Sequence, residues 1–219
     1  MSIQTRRERE RAEREQLIVT TARELAEAEG WDAVTTRRLA AEIEYSQPVL
    51  YGHFKGKNAI MTAVAVQGCA ELAVALRAAR TRAGSGSKSG AGSKSGSGSG
   101  DARAALAAVA AAYTAFSRDH PALYDAMFTH AVELPFATPE APAPLQDAFA
   151  EILAAVAPLA APDDVPGILT ETFWAALHGL VTLMRSGRLP APGHEYRLAL
   201  LIARFAPDAG PAARPATAG

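Results

Sequence analysis

The chain has 219 residues, a formal net charge of −1, 49% apolar but only 6% aromatic residues, and one cysteine. That length allows one large or two small domains with a substantial core, and an apolar fraction filled largely by alanine favours helices over strands. The near-neutral charge excludes a protein that coats nucleic acid through excess Lys and Arg, and the lone Cys69 excludes an internal disulfide or a cysteine-based zinc site.

Residues 2–16 mix both charge signs densely and run into Leu17, Ile18, Thr21, Ala22, Leu25 and Ala26. This spacing predicts one apolar stripe on a helix that ends at Gly30. The arginines of the charged run, Arg6, Arg7, Arg9, Arg11 and Arg14, read either as a solvated face laced with glutamates or as a flexible arm that touches phosphate or the minor groove. Trp31, Ala33 and Val34 are expected to plug a small three-helix core. Two short helices follow. The first runs from Thr36 to Ile43, with Leu39, Ala40 and Ile43 in phase and Thr35 or Thr36 as its cap; the second begins at Ser46 with Pro48 in its first turn. Two short helices around a tight turn match the helix-turn-helix, whose second helix lies in the DNA major groove.

A long helix is predicted from about Asn58 to Arg82. Residues 84–100 contain no apolar side chain larger than alanine and read as a flexible Gly/Ser linker. Asp101 is expected to cap an alanine-rich helix to about Arg118, and Pro121 to open another that stops before Pro135. Residues 135–144 read as a proline-broken loop. Helices are then predicted over Leu145 to Ala157, Asp164 to Ser186 and His194 to Ala206, with residues 207–219 a disordered tail. No apolar run reaches the roughly 18–20 residues of a membrane span, so the expectation is a cytoplasmic, all-α protein without a membrane partner.

The first 62 residues hold ten basic and ten acidic side chains, so placement of charge rather than its sum must define any DNA footprint. Gln47 stands at the start of the second helix, where side chains reach base edges. Gln pairs with adenine, and Arg37 or Arg38 with guanine, each such pair discriminating by roughly 1–3 kcal/mol. Tyr51, His53 and Lys57 are candidates for phosphate contacts, which position without reading sequence. The full expected set is Thr36, Arg37, Gln47, Pro48 and Val49 on bases, with Thr35, Tyr51, His53 and Lys57 on the backbone. Enzyme motifs are lacking: there is no His-Glu-x-x-His helix, Gly-rich phosphate loop or nucleophile elbow. No cofactor or metal is expected. Cys69 reads as a small core residue or as a redox sensor.

With TTRRLA before it, SQPVLYGHFKGK resembles the N-terminal domain of the TetR family of bacterial transcriptional regulators, whose signature Tyr-x-His-Phe-x-x-Lys falls on Tyr51, His53, Phe54 and Lys57. One departure is Glu44 in the turn, where the family often has glycine. HPALYDAMF and FWAALHGL resemble a TetR-type C-terminal domain. The resemblance implies a DNA-binding domain at 1–57 and a helical ligand-binding and dimerisation bundle at 58–206. It also implies a homodimeric repressor, released from double-stranded, palindromic operator DNA by a small, mostly apolar effector. The last two helices would then form a dimer seam with Leu177, Gly179, Leu180, Met184, Leu198 and Leu201. The candidates for the effector pocket are Tyr113, Phe116, Tyr124, Met127, Phe128, His130, Phe173, Trp174 and His178. The alternative is a helical small-molecule-binding or thiol redox-sensing protein with vestigial DNA binding.

Overall fold

The structure, a computed structural model, describes residues 3–86, 97–130, 134–135 and 138–207. Among the described residues there are nine α-helices and no strand: α1 (Ile3–Glu29), α2 (Thr36–Glu42), α3 (Gln47–His53), α4 (Lys57–Gly86), α5 (Ser97–Asp119), α6 (Pro121–Phe128), α7 (Ala143–Val156), α8 (Pro166–Arg185) and α9 (His194–Phe205). The all-α expectation is met. Several boundaries differ from it. Helices α4 and α5 reach into the Gly/Ser stretch, so Asp101 lies inside α5 rather than capping it, and the remainder of that linker, 87–96, is outside the described residues. Helix α6 stops at Phe128, well before Pro135. The expected tail falls outside the described residues from 208 onward.

Contacts divide the chain into two units, Met1–Val74 with Ala115–Ala148, and Ala75–Thr114 with Phe149–Gly219. In the first, α1 buries Ile18, Ala22, Leu25 and Ala26, and α4 buries Ile60, Met61, Val64, Ala65, Cys69 and Leu72 at helical spacing. Trp31, Leu39, Ala40, Ile43 and Leu50 complete the core around the two short helices. Helix α6 belongs to this unit. Pro121 at its start leaves the next amides without intrahelical partners, and Glu27 at the end of α1 accepts from both Ala122 N (3.0 Å) and Leu123 N (3.1 Å). The Trp31 indole donates to the Ala122 carbonyl at 2.7 Å. Against α4, α6 comes so close at Gly68 that a Cβ there would meet Met127 Sδ at 2.7 Å and Leu123 Cγ at 2.9 Å, so only glycine fits without repacking.

In the second unit, Leu76, Leu106, Val109, Tyr113, Ile152, Phe173, Leu177, Val181, Leu198 and Ile202 form the core. Glu151 is buried among them and is met by Arg77 (2.6 Å) and by two nitrogens of Arg80 (2.7 and 3.0 Å). Burial raises its pKa, but the two guanidinium hydrogen bonds and charges outweigh that and hold the carboxyl below its usual range. An anion so placed is tolerable only with its partners.

The expectation that no stretch is long and apolar enough to cross a membrane is corrected. Residues Lys57–Ser85 of α4 and Pro166–Arg185 of α8 both are. Alanine keeps their hydropathy high without large side chains, and α4 spends half of that stretch in the core.

Candidate nucleic-acid interface

The turn between α2 and α3 forces the chain through a left-handed residue, and that residue is Glu44, with φ 56°. It is the one non-glycine with positive φ among the described residues. Such a conformation costs an L-residue about 1–2 kcal/mol. It persists because its neighbours are anchored: Tyr45 N donates to Ala40 O at 2.8 Å, and Ile43 and Leu50 are buried on either side. Thr35 is the N-cap of α2, its hydroxyl accepting from Arg38 N at 3.1 Å. Ser46 takes the N-cap position of α3, though its side chain makes no capping bond.

Three intramolecular contacts then sort the polar side chains. Arg38 forks onto Glu29 at 2.5 and 2.7 Å and also approaches Glu42 at 3.6 Å. The hydrogen bond to Arg38 lowers the Glu29 pKa, and the same bond raises that of Arg38. Lys57 donates to the Trp31 carbonyl, which ties the start of α4 to the turn after α1 and leaves other ammonium protons available. His53 is turned inward, its side chain only 9% exposed, with Nδ1 3.3 Å from Glu15. Outside these contacts, Arg37, Gln47, Pro48, Val49 and Tyr51 are exposed together at the helix-turn-helix, with Tyr51 OH 3.4 Å from Thr36 Oγ1. Arg38 is committed to α1, whereas Arg37, the arginine of the expected base-contacting set, makes no ion pair with any described residue.

The expected effector residues separate into two groups. Tyr113, Phe173, Trp174 and His178 lie in the second unit, where Trp174 Nε1 donates to Tyr113 OH at 3.1 Å. Tyr113 OH stands 3.4 Å from His178 Nδ1, and Thr182 Oγ1 3.4 Å from His178 Nε2. Burial lowers the His178 pKa, which favours a neutral ring able both to give and to take a hydrogen bond. Phe173 is fully buried against Phe205, with ring centroids 5.0 Å apart. Phe116, Tyr124, Met127, Phe128 and His130 instead lie in the first unit. There Phe116, Tyr124 and Met127 are buried, Tyr124 meets Phe128 with rings tilted by 60° and centroids 4.9 Å apart, and His130 meets Trp31 edge-on at 6.0 Å. A cleft of about 410 Å³ opens beside His130 and Trp31.

For the expected dimer seam, Leu177 and Leu198 are buried in their own unit, whereas Gly179, Leu180, Met184 and Leu201 are half-buried. Cys69 is sealed in the core and its thiol is pushed up to about 12 by burial. A thiol so placed is a poor nucleophile, which favours the core reading of Cys69 over the redox-sensor reading. Sequence reasoning did not find the roles of Glu27, Glu29 and Glu15. Each acts on a residue distant in sequence, and the one local hint was Pro121, whose helix start demands an acceptor from elsewhere.

A three-helix helix-turn-helix unit with an exposed recognition helix defines a DNA-binding regulator. The descriptions "Bacterial regulatory proteins, tetR family" and "Tetracyclin repressor-like, C-terminal domain" match residues 18–64 and 106–214 respectively. The chain belongs to the TetR family; it is a DNA-binding transcriptional regulator and not an enzyme. It is 46% identical over 48 residues to the class C tetracycline repressor of Escherichia coli, a match covering 22% of this chain and 22% of that protein. An HTH-type transcriptional regulator of Mycobacterium tuberculosis is 28% identical over 170 residues, 78% of this chain and 69% of that one. Among solved structures, a protein of unknown function from Rhodococcus sp. RHA1 shares the fold with a TM-score of 0.65 at 22% identity, over 87% of this chain and 92% of that one.

Replacing Glu44 with glycine is expected to stabilise the protein by about 0.5–1 kcal/mol, because the relieved left-handed strain exceeds the added backbone entropy of glycine. Urea unfolding midpoints of the two proteins check this; a lower midpoint for the variant would mean that the turn is not strained.

Proposed function

We propose that this regulator is a homodimeric repressor that binds a palindromic operator through two copies of the helix-turn-helix and leaves it when a small, mostly apolar effector binds. In this reading residues 1–57 recognise DNA, while 58–206 bind effector and form the dimer. The observation that carries the dimer is the outer face of α8 and α9. Ile168, Thr172, Ala175, Gly179 and Leu183 follow one another along α8 at helical spacing, and Tyr196 and Leu200 stand out from α9; six of these seven are exposed and Gly179 is half-buried. A Cβ on Gly179 would meet nothing of its own chain within 4 Å, so the fold of one chain does not require glycine there. Close approach of a second α8 does give it a use. An isologous seam of this kind sets two recognition helices on one duplex with matching two-fold symmetry.

Base reading falls to Thr36, Arg37, Gln47, Pro48 and Val49. Thr35, Tyr51 and Lys57 act on the phosphate backbone, and His53 contributes by holding α3 to α1 through Glu15. Tyr113, Trp174 and His178 supply the polar tips of the effector site and Phe173 its apolar wall. The 48 residues shared with the tetracycline repressor are too few to carry that protein's effector across. An effector releases the operator only by binding more tightly to the state in which α4 sets the recognition helices out of register.

Gln47→Ala is expected to lose discrimination at one operator base pair, whereas Lys57→Ala weakens matched and mismatched duplexes alike and lowers the salt slope by about one. Salt titrations on both duplexes decide, and equal losses for both variants everywhere would reverse the roles. Leu183→Arg with Leu200→Arg is expected to give folded monomers by sedimentation and to weaken operator binding more than tenfold. A variant that stays dimeric would move the seam elsewhere. An effector found by thermal shift must weaken operator binding by the factor by which operator weakens its own binding; a stabilising compound without effect on the operator complex is not the effector.

A further inference from the structure

The family match begins at residue 18, yet α1 begins at Ile3 and is continuous, so about four turns of helix precede the shared domain. Their place is set by Glu15, whose carboxylate faces His53 at the last residue of the recognition helix. Residues 3–14 therefore extend past the C-terminal end of α3 by roughly 18 Å at 1.5 Å per residue.

The side chains on this extension are ordered. At 3.6 residues per turn, Arg7, Arg11 and Arg14 fall within an arc of about 60°, and the same arc further along the helix carries Ile18 and Leu25, both buried in the core. The face that packs on the domain thus becomes an arginine face where the domain ends. The acidic residues offset it only in part: Glu10 is taken by Arg6 and Glu15 pairs with Arg11, each at 2.8 Å, while Glu8 and Glu13 point to other sides of the helix. Arg7 and Arg14 are exposed and make no ion pair with any described residue.

We propose that the first turns of α1 are a phosphate clamp, with Arg7 and Arg14, and Arg11 on exchanging Glu15 for phosphate, lying along the DNA backbone in the flank of the half-site that α3 reads. This rests on the DNA reading above and adds a surface to it. The helical form decides between the two ways such a segment meets DNA: a helix 10–12 Å across does not enter a minor groove about 6 Å wide, so the contact is with phosphates. Arg7 to Arg14 spans about 10 Å, the axial rise of about three phosphates on one strand. The surface is continuous with the recognition helix through Glu15, and its charge complements the duplex.

The test compares the full-length protein with the triple variant Arg7→Gln, Arg11→Gln, Arg14→Gln by anisotropy on a selected operator duplex, made both with flanks and trimmed to the half-sites. On the flanked duplex the slope of log affinity against log salt is expected to fall by about 2–3 in the triple variant, at about 0.9 per phosphate contact, with base preferences unchanged. Trimming the flanks should cost the wild type a similar part of its slope and cost the variant nothing. The triple Arg→Lys variant should keep the slope, which separates charge from any loss of helix. Equal slopes for wild type and the Gln variant on the flanked duplex, with selective binding intact, overturn the clamp alone. A wild type that selects no duplex overturns the DNA reading, and the clamp falls with it.

Discussion

Pro121 starts α6 with two amides that have no partner in their own helix, and the carboxylate of Glu27, from the last turn of α1, takes both. Hydrogen bonds to a charged group are each worth about 1.5–3 kcal/mol, and the Trp31 indole adds a bond to the Ala122 carbonyl. Much of the first unit follows from this junction. It fixes α6 on α1 and sets Leu123 and Met127 against α4 at Gly68, the one spacing that leaves no room for a methyl group. Because α1 and α4, the helices before and after the helix-turn-helix, both meet α6, a shift of α6 would strand two amides and a carboxylate together.

The same economy of charge shapes the DNA-facing side. The N-terminal part of the chain has no net excess of basic residues, so any footprint comes from where charges stand, and several acids are held within the fold. Glu29 and Glu42 hold Arg38, Glu15 holds Arg11 and faces His53, and Glu27 is spent on α6. Among the basic groups without an ion pair to a described residue are Arg37 beside Gln47, Val49 and Tyr51, Lys55 just after α3, and Arg7 and Arg14 further out. A net charge near zero therefore coexists with a directed positive surface, and the salt dependence of such a protein reports the few arginines left over rather than the total.

In the second unit the corresponding organising feature is buried polarity. Glu151 is held between Arg77 and Arg80, and Trp174, Tyr113 and His178 share a chain of hydrogen bonds. Partnered polar groups in a core specify one packing more than they add stability. The apolar side chains that this packing leaves outside, on α8 and α9, are those a partner surface would use.

Helix identity, order and phase were legible in the sequence because they are local: Ile18, Ala22 and Leu25 on α1, or Phe173, Leu177 and Val181 on α8, announce a 3.6-residue period without reference to anything else. The helix-turn-helix and its family were legible for the same reason, as Tyr51, His53, Phe54 and Lys57 stand at short, fixed offsets, and the strain at Glu44 followed from a single residue type in a turn. Tertiary structure alone decided what each polar group does. It tied Arg38 to Glu29, turned His53 inward, placed Leu177 and Leu198 in the core instead of on the outer face, and divided the expected pocket residues between two units. These outcomes depend on partners 9 to 96 residues away, Glu29 for Arg38, Glu15 for His53 and Glu27 for α6. A hydrogen bond or ion pair between such groups leaves no periodic mark on the chain.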